Sequence, residues 1–299
     1  MKILITGANG LLGSKLVPLL IEQGEDVIAT SRGESRLALE GLTYASMDIT
    51  NEEDIRNVFD RYKPEAVIHT AAMTNVDQCE GDREGCWQQN VEAVKNLVRV
   101  CEEHGAFLLH LSTDFIFDGT KSYLSEEELP GPVNYYGESK LASEQVVTGC
   151  TIPWAIARTV LVYGITRDMS RSNIILWVKE SLSAGKTIKV VDDQYRTPTL
   201  AEDLAMGCFL IVKNKATGVF NISGKDMLTP YQMALKTADY FELDKGLIEK
   251  TDSTIFKQPA KRPLKTGFNI DKAKNILGYN PRSFAEGIAI VEAQVNGAL

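Results

Sequence analysis

The chain has 299 residues, 44% hydrophobic and 24% charged, with a formal net charge of -8. That length buries a large core in one big domain or two smaller ones. The acidic balance excludes a nucleic-acid or anionic-membrane surface, so an anionic ligand must be met by individual arginines. No run approaches the roughly 20 apolar residues of a membrane helix, and MKILITGANG enters glycines too early for a signal peptide. The five cysteines are odd in number and lack a CxxC, which reads as reduced thiols of a cytoplasmic protein. His69, His104 and His110 show no metal-type spacing with them, and no metal is expected.

In chain order, Lys2–Thr6 reads as a buried strand and Leu11–Gln23 as a helix ending near Gly24. Strands follow at Asp26–Ser31 and Tyr44–Asp48, then a helix over Glu52–Tyr62 opened by Thr50 and Asn51. Ala66–Thr70 is a strand, Arg83–His104 a long helix and Phe107–Ser112 a strand. A helix over Gly137–Val147 and a strand at Trp154–Thr159 complete the alternation. Strands alternating with helices predict an α/β fold, a doubly wound, Rossmann-like parallel sheet, over residues 1–164. Beyond Gly164 the rhythm changes. Helices are expected at Ser172–Ala184, Ala201–Val212, Pro230–Phe241, Asp271–Leu277 and Phe284–Asn296, with strands at Thr187–Val191 and Gly218–Ile222. Lys257–Lys265 reads as an exposed loop. Residues 165–299 are expected to form mainly a smaller mixed α/β substrate lobe over the carboxyl ends of the sheet, with about 192–222 returning to the first domain.

Thr6-Gly7-Ala8-Asn9-Gly10-Leu11-Leu12-Gly13 joins the first strand to the first helix. Glycines there permit a tight turn and close backbone approach, so a dinucleotide pyrophosphate can sit on the helix N-terminus. Gly7, Asn9, Gly10, Leu11, Leu12 and Gly13 are the candidate contacts; a plain structural turn is the bland alternative. The second strand ends in Ser31-Arg32 with no acid at its tip, which favours NADPH, with NADH as the alternative. A solvated loop arginine is the plainer alternative for Arg32. Asp48 and Ile49 close the third strand where an adenine would lie. Ala71, Ala72 and Met73 close the fourth, where small side chains let ribose and phosphates pass or simply pack.

Tyr136 and Lys140 stand at i and i+4 and share one helix face. A phenol titrates near 10, too high for a proton relay at neutral pH, and an adjacent ammonium would pull it down. The pair is therefore the candidate acid/base. Tyr135 would need a lysine at 139, where Ser139 stands. Ser112, Thr113 and Asp114 end the fifth strand, where hydroxyls could donate to a substrate oxygen; Ser112 and Asp114 could equally cap a turn. Asn90, inside the long helix, either binds backbone or water near the site or is simply exposed.

With these motifs in place, the chain resembles the dTDP-4-dehydrorhamnose reductase family of the extended short-chain dehydrogenase/reductase superfamily. The resemblance rests on TGANGLLG (6–13), AAMTNVDQCE (71–80), LSTDFIFDG (111–119), NYYGESKLASE (134–144), RTVLVYG (158–164), DDQYRTPT (192–199) and RPLKTGFN (262–269). It implies hydride transfer from NAD(P)H to C4 of a dTDP-linked 4-keto-6-deoxy sugar. Tyr136 would protonate the nascent alkoxide, Lys140 would hold the nicotinamide ribose, and Thr113 would bond the substrate carbonyl. Asp114 matches a sugar-contacting position, and Arg262 sits in a loop that approaches the diphosphate in related enzymes. Two segments depart from the family pattern near the substrate. Val160 and Leu161 replace a Ser-Trp pair, and Arg196 replaces a glycine. Lys15 stands where metal-linked members carry a glutamate, so no metal is implied; a homodimer is admitted. Two other functions stay open: another nucleotide-sugar reductase or epimerase, and a non-catalytic NADPH-binding subunit like the regulatory subunit of methionine adenosyltransferase.

Overall fold

The structure is a computed structural model, and it describes residues 1–166 and 173–297. The first strand β1 (Lys2–Thr6) leads into α1 (Leu11–Glu22), β2 (Asp26–Ser31), β3 (Thr43–Ser46) and α2 (Glu52–Tyr62). Next come β4 (Ala66–His69), α3 (Val76–Gly81), α4 (Arg83–Trp87), a π-helical turn at Gln88–Glu92 and α5 (Ala93–His104). The strand β5 (Phe107–Thr113) runs into a 3-10 turn at Asp114–Ile116, then α6 (Tyr135–Thr148), β6 (Trp154–Thr159) and β7 (Val162–Tyr163). The rest is α7 (Ile174–Ser183), β8 (Ile188–Val191), β9 (Thr199–Leu200), α8 (Ala201–Lys213), β10 (Gly218–Asn221), α9 (Pro230–Tyr240), β11 (Ile248–Thr251), α10 (Asp271–Leu277) and α11 (Phe284–Val295).

Seven strands form one parallel sheet in the order β10-β6-β5-β4-β1-β2-β3. This is the doubly wound arrangement the alternation predicts. Each face carries its own apolar layer. On one, Leu16, Val17 and Leu20 of α1 meet Leu204, Cys208 and Ile211 of α8. On the other, α5 buries Val94, Leu97, Val98 and Cys101, spaced i, i+3, i+4 and i+7, against Ile55 and Phe59 of α2. Fully burying one such side chain contributes about 1.5–3 kcal/mol.

Chain reversal in the sheet, where β1 has β4 on one side and β2 on the other, opens a crevice at the carboxyl ends of the strands. The smaller lobe pairs β8 with β11 and β7 with β9, in both cases parallel. It packs α7 and α9 around Val178, Leu182, Ala234 and Ala238.

Three local departures from the sequence reading have clear causes. The expected long helix over Arg83–His104 is interrupted by the π-helical turn, which rotates Asn90 inward to a buried position. Residues Val76–Gly81 form an extra short helix capped by Asn75. The third strand stops at Ser46 rather than Asp48, because Asp48 turns to accept hydrogen bonds from Thr50 N at 2.9 Å and Thr50 Oγ1 at 2.8 Å. Ser172, the expected start of a later helix, lies outside the described residues.

Candidate active site

The glycine loop is built for close approach. Gly7 has φ +71, and a Cβ there would stand 2.8 Å from Thr70 Oγ1 and 2.9 Å from Ala71 N. Gly13 lies against the backbone of Gly7 and Ala8, with no room for a side chain. The first helix starts after Gly10 with no side-chain cap and no acidic residue in its first turn. Its leading N–H groups, next to Leu11 and Leu12, therefore suit an anion. Asn9 faces the other way: its side chain donates to Glu34 O at 2.9 Å and accepts from Arg36 N at 2.9 Å, tying down the loop after β2. Ser31 Oγ accepts from Asn9 N at 3.4 Å.

Arg32 is exposed and lines a groove of about 360 Å³ with Ala72, Met73, Asn75 and Gln89. The structure thus brings together the ends of β2 and β4, where the sequence placed cofactor contacts. Ala71 Cα and N lie against Gly7, while Ile49 packs into the apolar layer beneath. A larger groove of about 450 Å³ lies at the outer edge of the sheet between Tyr44 and Tyr62, and none of the expected site residues line it.

Met73 is held by Asn90: Oδ1 accepts from Met73 N at 2.8 Å and Nδ2 donates to Met73 O at 3.0 Å. The same Nδ2 reaches Ser139 Oγ at 3.0 Å, which joins the end of β4 to α6. Of the two readings of Asn90, the backbone-binding one is what the structure shows.

Two features set the position of α6. Asn134 caps it by accepting from Gly137 N at 2.9 Å, so the helix starts at Tyr135, earlier than the sequence reading. Gly137 lies on the carbonyl of Phe115, where any Cβ would collide with that oxygen. Only glycine lets the helix come this close to the end of β5. As a result Tyr136, 8% exposed, meets Thr113 through a hydrogen bond between their hydroxyls. Thr113 Oγ1 donates to Asp114 Oδ1 at 3.1 Å, and Asp114 Oδ2 accepts from Thr266 Oγ1. A hydroxyl has one proton to give, so Tyr136 donates, Thr113 passes the polarisation on, and Asp114 receives it.

The electrostatics differ from the expectation in one respect. Burial pushes the Tyr136 phenol above its usual range, against the hydrogen bond with Thr113 that lowers it, and the ammonium exerts no resolved pull. Lys140, 4% exposed, instead places Nζ 3.1 Å from His110 Nε2. Burial brings its pKa down to about 8, with Glu144 and Cys86 pulling the other way. Cys79 and Cys86 pack beside Tyr136 and Met73, and all five cysteines are free. Asp114 is also raised by burial, opposed first by Arg196.

Two candidate substrate residues prove to be engaged within the protein. Arg196 is 5% exposed: Nη1 donates to Tyr195 O at 2.9 Å and Leu264 O at 3.0 Å, Nη2 donates to Pro263 O at 2.5 Å, and Nε lies 3.7 Å from Asp114. These donors have partners within the protein, which sets Arg196 behind Asp114. Arg262 forms a fork with Asp77, 2.6 and 2.7 Å, and also donates to Ala260 O at 2.6 Å. The fork ties its loop to α3. Leu161 stays 46% exposed at φ +36, whereas Val160 is buried in the core. Lys15 pairs with Glu202 at 3.0 Å. Among the described residues no cluster of His, Cys, Asp and Glu could hold a metal ion, and no helix is long and apolar enough to cross a membrane.

The residues that sequence reading missed are His110, Ser143 and Thr266. His110 interrupts the otherwise apolar strand FLLHL, which was the available signal. Thr266 comes from a distant loop, within the RPLKTGFN segment that carries the resemblance, but nothing local pointed it to Asp114.

The family model described as the RmlD substrate binding domain matches residues 1–296. The chain belongs to the dTDP-4-dehydrorhamnose reductase family of extended short-chain dehydrogenase/reductases. Among its relatives, the "Probable low-salt glycan biosynthesis reductase Agl14" of Haloferax volcanii is 32% identical over 97% of this chain and 96% of that protein. The "Methionine adenosyltransferase 2 subunit beta" of Mus musculus is 28% identical over 96% of this chain and 86% of its own length. The crystal structure of dTDP-4-dehydrorhamnose reductase from Bacillus anthracis in complex with NADP superposes with a TM-score of 0.85 at 27% identity, covering 98% of this chain and 99% of that one. The relatives thus include a reductase and a subunit of another enzyme.

Proposed function

We propose that this member of the reductase family reduces the C4 ketone of a nucleotide-linked 4-keto-6-deoxy sugar, with dTDP-4-dehydrorhamnose to dTDP-L-rhamnose as the first candidate. The observation that carries the reading is the Tyr136–Thr113–Asp114 hydrogen-bond chain beside the buried Lys140. NADPH is the preferred cofactor. The uncapped start of α1 and the tight Gly7–Gly13 loop suit its pyrophosphate, and exposed Arg32 suits a 2′-phosphate. Asp48, Ala71, Ala72 and Met73 would flank its adenine and ribose. A bound nicotinamide supplies the hydride to the ketone carbon.

The chain's own residues supply the rest. When a ketone binds, Tyr136 turns its O–H from Thr113 to the ketone oxygen and stabilises the charge that develops there. Thr113, its proton held by Asp114, keeps the phenol in place. Tyr136 then gives its proton to the alkoxide oxygen, and the phenolate left behind is favoured once the Lys140 ammonium turns toward it from His110. Asp114 keeps Thr113 oriented by accepting its proton, while Arg196 and Thr266 keep Asp114 in place. Arg196 thus acts on the sugar site from behind. A merely buried Tyr136 would be a poor acid and base, so the approach of charge to the phenol is the step on which the reading depends.

The test is turnover of purified protein with dTDP-, UDP- and GDP-linked 4-keto-6-deoxy sugars and either NADPH or NADH, followed by nicotinamide absorbance. Oxidation of NADPH with the dTDP sugar is the expected result. The likeness to the methionine adenosyltransferase subunit favours a second reading, an NADPH-binding regulatory protein. NADPH binding without turnover of any sugar in the panel would establish that instead.

A further inference from the structure

Beneath the lysine lie two histidines that the proposed reaction does not use. His69 and His110 stand in register on β4 and β5, both buried, with ring centroids 5.3 Å apart and stacked. His69 is anchored by Thr6, whose Oγ1 lies 2.8 Å from Nδ1. His110 is the one in contact with the site. Its Nε2 has two neighbours, Lys140 Nζ at 3.1 Å and Ser143 Oγ at 3.0 Å, and its Nδ1 has no partner.

The two neighbours ask opposite things of that nitrogen. Ser143 gives its single proton to Lys140 O at 2.7 Å, so its oxygen meets His110 as an acceptor and calls for an N–H. A charged ammonium only donates, so Lys140 calls for a lone pair at the same atom. When Lys140 is charged, Nε2 must be bare and the proton sits on Nδ1, stranded inside the sheet. When Lys140 is a neutral amine, Nε2–H satisfies Ser143 and only an acceptor is left unpaired. The imidazole itself stays neutral throughout, because burial and the nearby ammonium hold its pKa well below the usual histidine range.

We propose that His110 is a positioning residue for Lys140, seating the ammonium under the active site and, through its choice of tautomer, setting where that ammonium loses its proton. The kinetic consequence rests on the acid/base reading of Tyr136 and Lys140; the contact and its proton state do not.

Other groups face Lys140 as well. From its own helix come Tyr136 and Glu144, the latter paired with Arg158 of β6. From α4 comes Cys86, whose thiol a hydrogen bond from Cys79 of α3 brings to about 7. His69 stands behind His110. Of these, Cys86 is the one that would titrate close to Lys140, so the experiment is run on the protein and again in a Cys86→Ala background.

The probe is nitrogen NMR of ¹⁵N-labelled histidine and lysine in the full chain, without added nucleotide, from neutral to alkaline pH. In the wild type the Nε2 signal of His110 should pass from bare to protonated at the same midpoint at which Lys140 loses its proton. His110→Leu removes the acceptor and should lower the Lys140 midpoint by about one unit. His110→Gln, which keeps a neutral acceptor, should restore it. In turnover assays His110→Leu should lower kcat about tenfold with KM within about twofold, and His110→Gln should recover most of the loss. An unmoved Lys140 midpoint in His110→Leu overturns the proposal, as does an Nε2 proton that ignores the lysine titration. If His110→Leu does not fold, the wild-type titration decides alone. If no sugar is reduced, the reaction has been misread, while the NMR result still judges His110.

Discussion

Glu144 accepts two hydrogen bonds from Arg158, 3.0 Å from Nε and 2.7 Å from Nη2, and the two side chains are only 6% and 7% exposed. The pair joins α6, the helix that carries Tyr136 and Lys140, to β6. Removing one member would leave the other charged and buried. Glu144→Ala should therefore lower unfolding free energy by about 3–5 kcal/mol in denaturant titrations. The double variant Glu144→Leu with Arg158→Met should regain much of that. A single variant as stable as the wild type would show the pair to be dispensable.

Gly137→Ala tests the close approach of α6 to β5. Its Cβ would collide with the Phe115 carbonyl, so helix and turn must separate. Overpacking of this kind costs about 1–3 kcal/mol. Because Tyr136 and Thr113 lie on the two sides of that contact, activity should fall by more than about tenfold. Normal kcat with the methyl group present would mean the hydroxyl pair does not need this spacing.

Asn90→Leu removes both hydrogen bonds to the Met73 backbone. Leaving those buried groups unpaired should destabilise the protein by about 1–3 kcal/mol. It should also weaken cofactor binding, since Ala71–Met73 would no longer be pinned. Isothermal titration with NADPH and NADH reads this directly; unchanged affinity would place the segment outside the cofactor site.

Lys140 gives a pH signature to stability. Burial lowers its folded pKa from the ordinary lysine value of 10.5 to about 8, so between those limits the unfolded chain binds more protons than the folded one. Stability should therefore rise as pH increases from about 8 toward 10.5, by on the order of 3 kcal/mol from this group. Lys140→Met should flatten that rise and add stability at neutral pH. Equal slopes in the two proteins would contradict it.

Arg32→Ala should raise KM for NADPH about tenfold and leave KM for NADH nearly unchanged, as expected for loss of one charged contact to a 2′-phosphate. A parallel loss for both cofactors would point to loop packing instead.

The sheet was legible from sequence because each parallel strand is a short apolar run between helix-forming stretches with cap residues at their starts. The segment at Asp48 was less so, because a side-chain turn ended the strand where periodicity alone ran on. The π-helical turn left no mark in the hydrophobic spacing, so Asn90 stayed ambiguous. In the site, Tyr136 and Lys140 lie within one helix, and their common face follows from local geometry. Arg196, Arg262 and Thr266 were different. Their partners are Asp114, Asp77 and two backbone carbonyls far away in the chain, and no local pattern carries such pairings.

The Arg196 clamp has a consequence for how the protein can change. One guanidinium holds the carbonyls of Pro263 and Leu264 and faces Asp114, so the end of β5 and the 257–265 loop share a fastening. A chain with glycine at this place must secure that loop by other means. Grafting a relative's loop onto this protein, or this loop onto a relative, should therefore succeed only when residue 196 travels with it.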